Sequence, residues 1–331
     1  MHNSQIKRVF AGIRPSGALH LGNYLGAMKG MLELQSNSSY QTIYCVVDIH
    51  AITTPYKVEE MRAFRKEAII DYLAVGLDPE KSILFFQSNV GEHAEASFYF
   101  STVITMARMQ YIPTFKDKAK QYPDHVTMAL LNYPLLMAAD ILLYKAELIP
   151  AGADQEPHIE VAREVARKMN EQYGTDFPEP KRLITKGDYV PSLSGEGKMS
   201  KSIEGSYIAL TDSLEIIRKR LAKVPTDSGH GEIIPTVGGV ANLLTLVELF
   251  QGVNVCKEYQ ERYLDSGIKY AELKTALAEA IFKELKPIQE KRKKLEANPD
   301  YVERVIREGA EKARAIASKT LDEVKEKMGL K

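Results

Sequence analysis

The first part of the chain alternates short apolar runs with amphipathic stretches. The apolar runs predict buried strands at 8–13, 42–47 and 82–86. Apolar residues recur at helical spacing in between, as Leu25, Met28 and Leu32 and then as Met61, Phe64, Ala68 and Tyr72. Strands and helices that alternate in this way favour a parallel sheet with helices on both faces. We therefore predict an α/β fold with a doubly wound parallel sheet, in which ligands bind at the carboxyl ends of the strands.

The middle of the chain continues this pattern and the end departs from it. An apolar helix is predicted at 128–144, a short strand at 148–151 and a helix that begins near Pro157. Residues 174–206 are rich in Gly, Pro, Ser and Lys, which is typical of a long functional loop. Beyond residue 210 the pattern predicts helices only. We expect a sheet domain at 1–205 and a helical region at 206–331, whose last helix is a candidate to pack back on the first domain.

Length and composition narrow the class of protein. At about 150 residues per domain, 331 residues are consistent with two domains. Lys and Arg total 44 and Asp and Glu total 44, a balance that by itself argues against a surface coated by nucleic acid but does not say where the charges lie. Cys45 and Cys256 are the only cysteines, which excludes a disulfide framework or a four-cysteine zinc site. No segment reads as a signal peptide or as the roughly 18 apolar residues of a membrane helix, so we expect a cytoplasmic protein with no membrane partner.

The first chemical motif is Pro15-Ser-Gly-Ala-Leu-His20-Leu-Gly-Asn23, where the first strand passes into a helix. Glycine at 17 and 22 lets a phosphate approach the backbone, and a helix N-terminus favours anions. An imidazole there can hydrogen-bond phosphate oxygens. A lone Gly-x-x-His is more often a tight turn with a surface histidine.

The second motif is Gly197-Lys-Met-Ser-Lys-Ser202, inside the predicted loop. Two lysines around a small hydroxyl residue can bind a polyphosphate and stabilise the charge of departing pyrophosphate. Taken alone, the alternative is a solvated basic turn.

Together the two motifs resemble the HIGH and KMSKS signatures of class I aminoacyl-tRNA synthetases. Further segments resemble the tryptophanyl-tRNA synthetases in family order: Phe10 to Gly17, Gly22 to Gly26, Val47 to Thr53, Phe115 to Lys118, Tyr133 to Tyr144 and Gly152 to Gln155. The resemblance extends from about residue 8 to the end and is weakest at 172–196. This sequence departs from the family at Arg14, usually glutamine, at Asn23, which replaces the last histidine of HIGH, and after KMSKS at Ile203.

The resemblance implies a Rossmann-like catalytic domain, a helical tRNA anticodon-binding region and ATP-dependent ligation of L-tryptophan to tRNA(Trp) through an adenylate. It implies ATP with Mg²⁺ as a substrate complex, no prosthetic group and no protein metal site. The residues it assigns to catalysis are His20, Asn23, Lys118, Lys198 and Lys201. Those it assigns to ATP are Gly12, Arg14, Ser16, Gly22, Asn23, Asp154, Lys198, Met199, Ser200 and Lys201. Those it assigns to tryptophan are Phe10, His50, Tyr133, Met137, Asp140, Ile149, Ala151 and Gln155.

Asp140 is an acidic residue within a predicted apolar helix, which makes it a candidate site residue apart from the resemblance. It lies in an apolar helix, where an ionised carboxylate is costly unless something donates to it. An indole N–H only donates, so a buried acceptor is the complement of a tryptophan side chain. The alternative is a partly exposed aspartate at the one solvated position of the helix. His93, His125, His158 and His230 have no assigned role.

The expected partners are tRNA(Trp), L-tryptophan, ATP and a second copy of the chain, because residues 72–78 resemble a family segment near the subunit interface. The basic cluster 291–294 is a candidate tRNA contact or a solvated helix face. The closest alternative function is tyrosyl-tRNA synthetase, against which the segments 48–53 and 152–155 argue. A nucleotidyltransferase for a small metabolite and an inactive paralogue that only binds are more distant alternatives.

Overall fold

The fold is built on five parallel strands in the order β3-β2-β1-β4-β5. The computed structural model describes residues 6–15, 17, 19–185, 189–201 and 203–331. The strands are β1 (Lys7–Ile13), β2 (Tyr40–Val46), β3 (Ser82–Phe86), β4 (Leu148–Pro150) and β5 (Lys181–Leu183). β1 pairs with β2 along its whole length, from Lys7 opposite Tyr40 to Ile13 opposite Val46, and with β4 on its other side. The prediction of a doubly wound parallel sheet is confirmed.

Fourteen α-helices lie among the described residues, together with several shorter turns of helix. Those of the first half are α1 (Leu21–Asn23), α2 (Lys29–Gln35), α3 (Asp48–Ala51), α4 (Val58–Val75), α5 (Glu92–Ser101), α6 (Met106–Gln110), α7 (Pro113–Gln121) and α8 (Met128–Leu142). The rest are α9 (Glu156–Tyr173), α10 (Leu214–Ala222), α11 (Gly238–Gln251), α12 (Val253–Leu264), α13 (Tyr270–Glu296) and α14 (Pro299–Lys327). A π-helical turn at Tyr24–Met28 joins α1 to α2. None of the helices in the described part of the chain is long and apolar enough to cross a membrane.

β5 is a strand that the sequence analysis missed, since it lies inside the predicted loop 174–206. It has three residues, and none of them is fully buried. A short edge strand with little burial carries no apolar run and no alternation, which are the signals that identify strands.

The two faces of the sheet bury separate cores. One core runs from Tyr44 and Leu84 without interruption to Leu243 and Leu277 of the C-terminal helices. The other joins residues of β1 to β3 to the small apolar face of α14, which includes Ala313 and Leu321. Residues 206–331 therefore pack on both faces of the sheet.

Gly309 sets how closely α14 approaches β3. A Cβ atom at this position would lie 1.8 Å from the carbonyl oxygen of Leu84, so only glycine fits at this distance. The close approach brings the small residues of α14 into one core with the side chains of β3.

The basic cluster 291–294 does not form a single solvated face. The guanidinium of Arg292 pairs with the carboxylate of Asp71 on α4, and both side chains are largely buried at 12% and 2% exposure. Burial raises the pKa of Asp71 to about 6, while the charge of Arg292 opposes the shift. Arg292 thus joins α13 to α4 and does not lie on a solvated face, while contact of the cluster with tRNA stays a prediction.

Candidate active site

The side chains assigned from the sequence gather at the carboxyl edge of the sheet. Arg14 follows β1, His50 lies on α3 directly after β2, Gln87 follows β3 and residues 152–155 follow β4. The chain leaves β1 toward β2 on one side and returns to it as β4 on the other, and a crevice at such a switch point is where open α/β sheets bind ligands.

His20 begins the helix at the end of β1 and caps it. Its Nδ1 accepts from the backbone N–H of Gly22 at 3.0 Å, and its own backbone N–H donates to Oδ1 of Asn23 at 3.1 Å. Burial, with the charges of Lys201 and Lys198, lowers the pKa of His20 to about 4. The imidazole is therefore neutral at pH 7, and because Nδ1 accepts, its hydrogen is on Nε2 and can be donated to a phosphate.

The KMSKS segment lies beside this turn. Lys201 Nζ donates to the carbonyl of Gly17 at 2.8 Å. Backbone hydrogen bonds from Leu21 N–H to the carbonyl of Ile208 (3.0 Å) and from Leu210 N–H to the carbonyl of Leu19 (2.9 Å) join the first motif to the segment that follows KMSKS. A Cβ at Gly22 would lie 3.5 Å from Met199 and 2.8 Å from the ring of His20, which explains the glycine.

The two lysines of the segment differ in environment. Lys198 is exposed, whereas Lys201 is half-buried, and burial lowers its pKa to about 8 against the opposing charges of Asp71 and Glu67. The side chain of Met199 is 3% exposed and anchors the segment, and Ser200 accepts at its carbonyl from Ser206 Oγ at 2.5 Å. Ser16, which the resemblance assigns to ATP, and Ser202, the last residue of the KMSKS signature, lie outside the described residues.

Arg14 and Lys118 add two cations to the crevice. Arg14 donates to the carbonyl of Ala51 at 2.7 Å and to the hydroxyl of Thr54, so it holds the loop after α3. Burial lowers the pKa of Lys118, and the charge of Arg14 lowers it further.

Gly12 lies on β1, and Asp154 lies on the turn that follows the neighbouring strand β4. A Cβ at Gly12 would come within 2.7 Å of Val47 and 2.9 Å of the carbonyl of Cys45, so no side chain fits at this position of β1. Asp154 is exposed on the turn after β4 and accepts from the amide of Gln155 at 2.7 Å. The neutral backbone at Gly12 and the carboxylate of Asp154 can hydrogen-bond hydroxyl groups of a ligand, whereas a carboxylate repels a negatively charged phosphate.

Asp140 is 1% exposed and accepts three hydrogen bonds. Oδ1 accepts from Gln87 Nε2 and His93 Nδ1, both at 2.6 Å, and Oδ2 accepts from His50 Nε2 at 2.9 Å. Burial alone would raise the pKa of this carboxyl, but the hydrogen bonds and charges of the two histidines outweigh burial and hold the pKa well below its ordinary value. Asp140 is therefore ionised, and Oδ2 has room for one more donor because it accepts one bond where Oδ1 accepts two.

Apolar side chains surround this carboxylate. Phe10 stacks on Tyr144, with ring centroids 5.6 Å apart, and the hydroxyl of Tyr144 bonds to His93 Nε2 at 2.8 Å. Ile149 is 3% exposed in the same core, while Met137 and Ala151 are partly buried against it. These apolar side chains belong to one core with the neighbours of Asp140 on α8, and we call them, together with Asp140, the slot.

A second polar network lies next to the slot. The hydroxyls of Tyr133 and Thr114 are 2.7 Å apart, and both contact Nε2 of His158, at 2.8 and 2.7 Å. His158 Nδ1 contacts Oε1 of Gln155 at 3.0 Å. Tyr133 and Gln155, which the sequence analysis assigned to the same ligand, are thus joined through one histidine.

The sequence analysis missed four residues of these networks: Gln87, His93, Thr114 and His158. Gln87 had a usable signal, since it directly follows a strand at the ligand-binding edge. The other three lie on helices, where a single polar residue on an apolar face is more often an ordinary core residue than part of a site. Apart from Gln155, which is three positions before His158, their partners are 19 to 51 positions away in the sequence, so spacing carried little signal.

Comparisons with known proteins agree with this geometry. The sequence matches the family described as tRNA synthetases class I (W and Y) over residues 3–286. A tryptophan–tRNA ligase of Helicobacter pylori is 41% identical over 98% of this chain and 99% of its own length, and one of Clostridium tetani is 39% identical over 98% and 96%.

A solved structure supports the same assignment. The tryptophanyl-tRNA synthetase of Campylobacter jejuni, complexed with ADP and tryptophan, superposes with a TM-score of 0.87 and 32% identity over 98% of this chain and 100% of that one. The resemblance inferred from the two signatures is confirmed. This chain belongs to the class I tRNA synthetases, in the family of the tryptophan and tyrosine enzymes.

Proposed function

We propose that this protein is a tryptophan–tRNA ligase, which activates L-tryptophan with ATP and transfers it to tRNA(Trp), releasing pyrophosphate and AMP. The observation that carries the proposal is the ionised, buried carboxylate of Asp140 in an apolar slot beside the cationic crevice. The names and full-length coverage of the relatives favour tryptophan over the tyrosine alternative.

The slot explains how an indole would be selected. The indole N–H would donate to Asp140 Oδ2, and Phe10, Met137 and Ile149 would cover the ring. Phenylalanine would leave the carboxylate without this donor, which costs several powers of ten when a site is built for a hydrogen bond. Tyrosine also donates, so the shape of the slot has to exclude it.

The first chemical step would be in-line attack of the tryptophan carboxylate on the α-phosphate of ATP. His20 Nε2–H, the amide N–H of Asn23 and the ammonium groups of Lys118, Lys198 and Lys201 would neutralise the charge that develops on the phosphates. ATP would enter as its Mg²⁺ complex, with the adenosine on the side of Gly12 and Asp154.

The second step would be attack of the terminal ribose hydroxyl of tRNA on the adenylate carbonyl, which displaces AMP. Neither step needs a covalent bond to the enzyme, so catalysis would consist of positioning and charge stabilisation. We assign anticodon recognition to the helical region 206–331 and catalysis to residues 1–205. We place the protein in the cytoplasm, as expected from the sequence. We also propose a homodimer, on account of the exposed apolar side chains of Phe98 on α5 and Met106 on α6.

The direct test of the proposal is charging of tRNA transcripts. We expect labelled tryptophan to become acid-precipitable on tRNA(Trp) and not on tRNA(Tyr). Labelled tyrosine should be transferred to neither transcript. Charging of tRNA(Tyr) with tyrosine would contradict the proposal.

A further inference from the structure

His158 is a buried histidine for which the chemistry above has no role. It lies on α9, is 4% exposed, and uses both ring nitrogens in one hydrogen-bond network. One nitrogen faces Gln155 and the other faces the hydroxyls of Tyr133 and Thr114. His158 therefore lies between Tyr133 and Gln155 and can control the orientation of both side chains.

The partners determine which nitrogen carries the hydrogen. The amide N–H₂ of Gln155 donates to Oδ2 of Asp154, so the oxygen Oε1 is the atom that faces His158. An amide oxygen only accepts, so Nδ1 must carry a hydrogen. Burial lowers the pKa of His158, and the charge of His50 acts in the same direction while that of Asp154 opposes it. The ring is therefore neutral at pH 7, and Nε2 is an acceptor.

This tautomer orients the neighbouring hydroxyls. Nε2, Tyr133 Oη and Thr114 Oγ1 form a triangle with sides of 2.7 to 2.8 Å. One hydroxyl donates to Nε2 and the other donates to the first, so the triangle uses both hydrogens. Burial also raises the pKa of Tyr133, which keeps its phenol neutral. The oxygen of Tyr133 therefore offers lone pairs to the slot and no hydrogen.

We propose that His158 is a positioning residue that makes the hydroxyl of Tyr133 and the amide of Gln155 acceptors for the α-ammonium group of the amino acid. This inference rests on the proposed function, in which the family resemblance already assigns Tyr133 and Gln155 to the amino group of tryptophan, and adds the residue that orients these two contacts. An imidazolium at this position would carry hydrogens on both nitrogens. It would turn one hydroxyl hydrogen outward and place a second positive charge next to the ammonium.

The test separates recognition of the amine from recognition of the indole. In wild-type protein and in His158→Phe, we would measure the KM of tryptophan in pyrophosphate exchange and the inhibition constant of indole-3-propionic acid, which lacks the amine. We expect the KM of tryptophan to rise about 10- to 100-fold in the variant, the effect of losing a hydrogen bond to a charged group. The inhibition constant of indole-3-propionic acid and the KM of ATP should change less than about twofold, as expected for sites that keep their contacts.

Two conservative variants test each nitrogen separately. His158→Asn retains a donor close to the Nδ1 position, and His158→Gln supplies an acceptor close to the Nε2 position. In each variant the KM of tryptophan should rise less than in His158→Phe. If the Phe variant does not fold, these two variants provide the test. His230→Asn, at an exposed histidine, is the control and should leave all the constants unchanged.

Two results would overturn the inference. One is equal weakening of tryptophan and indole-3-propionic acid, which would show that His158 only supports the shape of the slot. The other is an unchanged tryptophan KM. A wild-type protein without tryptophan-dependent exchange would instead refute the proposed function, so the two failures are distinguishable.

Discussion

Asp140 and its three donors show how single side chains prepare this site before any ligand binds. Gln87 Oε1 accepts from the backbone N–H groups of Ile49 and His50, at 3.1 and 3.3 Å, so its amide nitrogen is directed at Asp140. This leaves the carboxylate ionised and rigid within an apolar surround. A preorganised acceptor of this kind loses little entropy when a donor arrives.

Asp140→Asn removes the charge and one acceptor at nearly constant volume. We expect the KM of tryptophan to rise about 10- to 100-fold, because a hydrogen bond to a charged group is lost. The KM of ATP should remain within about twofold, since the hydrogen-bond partners of Asp140 are not among the residues assigned to the phosphates. Steady-state pyrophosphate exchange measures both constants. Equal losses for tryptophan and ATP would mean that Asp140 is not part of an amino-acid site.

The lowered pKa of Lys201 predicts that kcat/KM for ATP depends on pH. Its pKa is lowered to about 8, so its charge is complete below that pH and is lost as the pH rises through it. The value of kcat/KM for ATP reports on the free enzyme and should therefore fall on the alkaline side with an apparent pKa near 8.

Substitutions at Lys201 test whether this lysine, rather than another titrating group, causes the alkaline decline. Lys201→Arg should move the alkaline decline to higher pH, because guanidinium stays charged, and Lys201→Ala should raise the adenylation barrier by about 3 kcal/mol. Lys269→Ala, at a side chain that is 81% exposed, is the matched control. Normal adenylation by Lys201→Ala would disprove the phosphate role.

The secondary-structure elements divide into those with a strong local signal and those fixed by packing. The predictions of β1 to β4 were accurate because buried parallel strands are apolar runs with clear ends. β5 was missed because its three residues are at most half-buried. The HIGH and KMSKS signatures located the crevice because they are contiguous, whereas His93 and His158 act only through contacts made by folding.

The packing of α14 on β3 gives a stability prediction. Gly309→Ala would force a Cβ against the backbone of Leu84, so α14 must move away from the strand. We expect the free energy of unfolding to fall by about 1–3 kcal/mol, the usual cost of overpacking. Thermal denaturation followed by circular dichroism measures the loss.

Gly91→Ala is the matched control for this change. Gly91 has a φ of −61° and open space around its Cα, so alanine should change stability by less than about 0.5 kcal/mol. If Gly309→Ala is as stable as wild type, α14 does not pack on β3 as described.

The molecule as a whole carries no net charge, because its 44 Lys and Arg equal its 44 Asp and Glu, but this sum does not exclude a local group of cations. Arg14, Lys118, Lys198 and Lys201 lie on segments that surround the crevice, and Arg292 is used in the contact between α13 and α4. Charge balance over the entire chain is therefore compatible with a nucleotide and a tRNA as ligands. The composition could not reveal this, because it does not record where charges lie.

The proposed homodimer makes a prediction about mass in solution. Phe98, Met106 and Tyr111 are 68%, 62% and 73% exposed within a short stretch of sequence, an unusual display for a surface that meets only water. Wild-type protein should have twice the chain mass of 37.1 kDa by light scattering, and Phe98→Glu should reduce it to one chain.

Ile233→Glu provides the control, because this exposed residue lies in the helical region and outside the proposed interface. It should leave the dimer intact. A wild-type protein that is monomeric at micromolar concentration would refute the proposed dimer.

The proposed function depends on which amino acid this site activates. The decisive measurement is exchange of labelled pyrophosphate into ATP with tryptophan, with tyrosine and with no amino acid. We predict exchange with tryptophan and only background in the other two reactions. Exchange with tyrosine alone, or no exchange at all, would contradict the account.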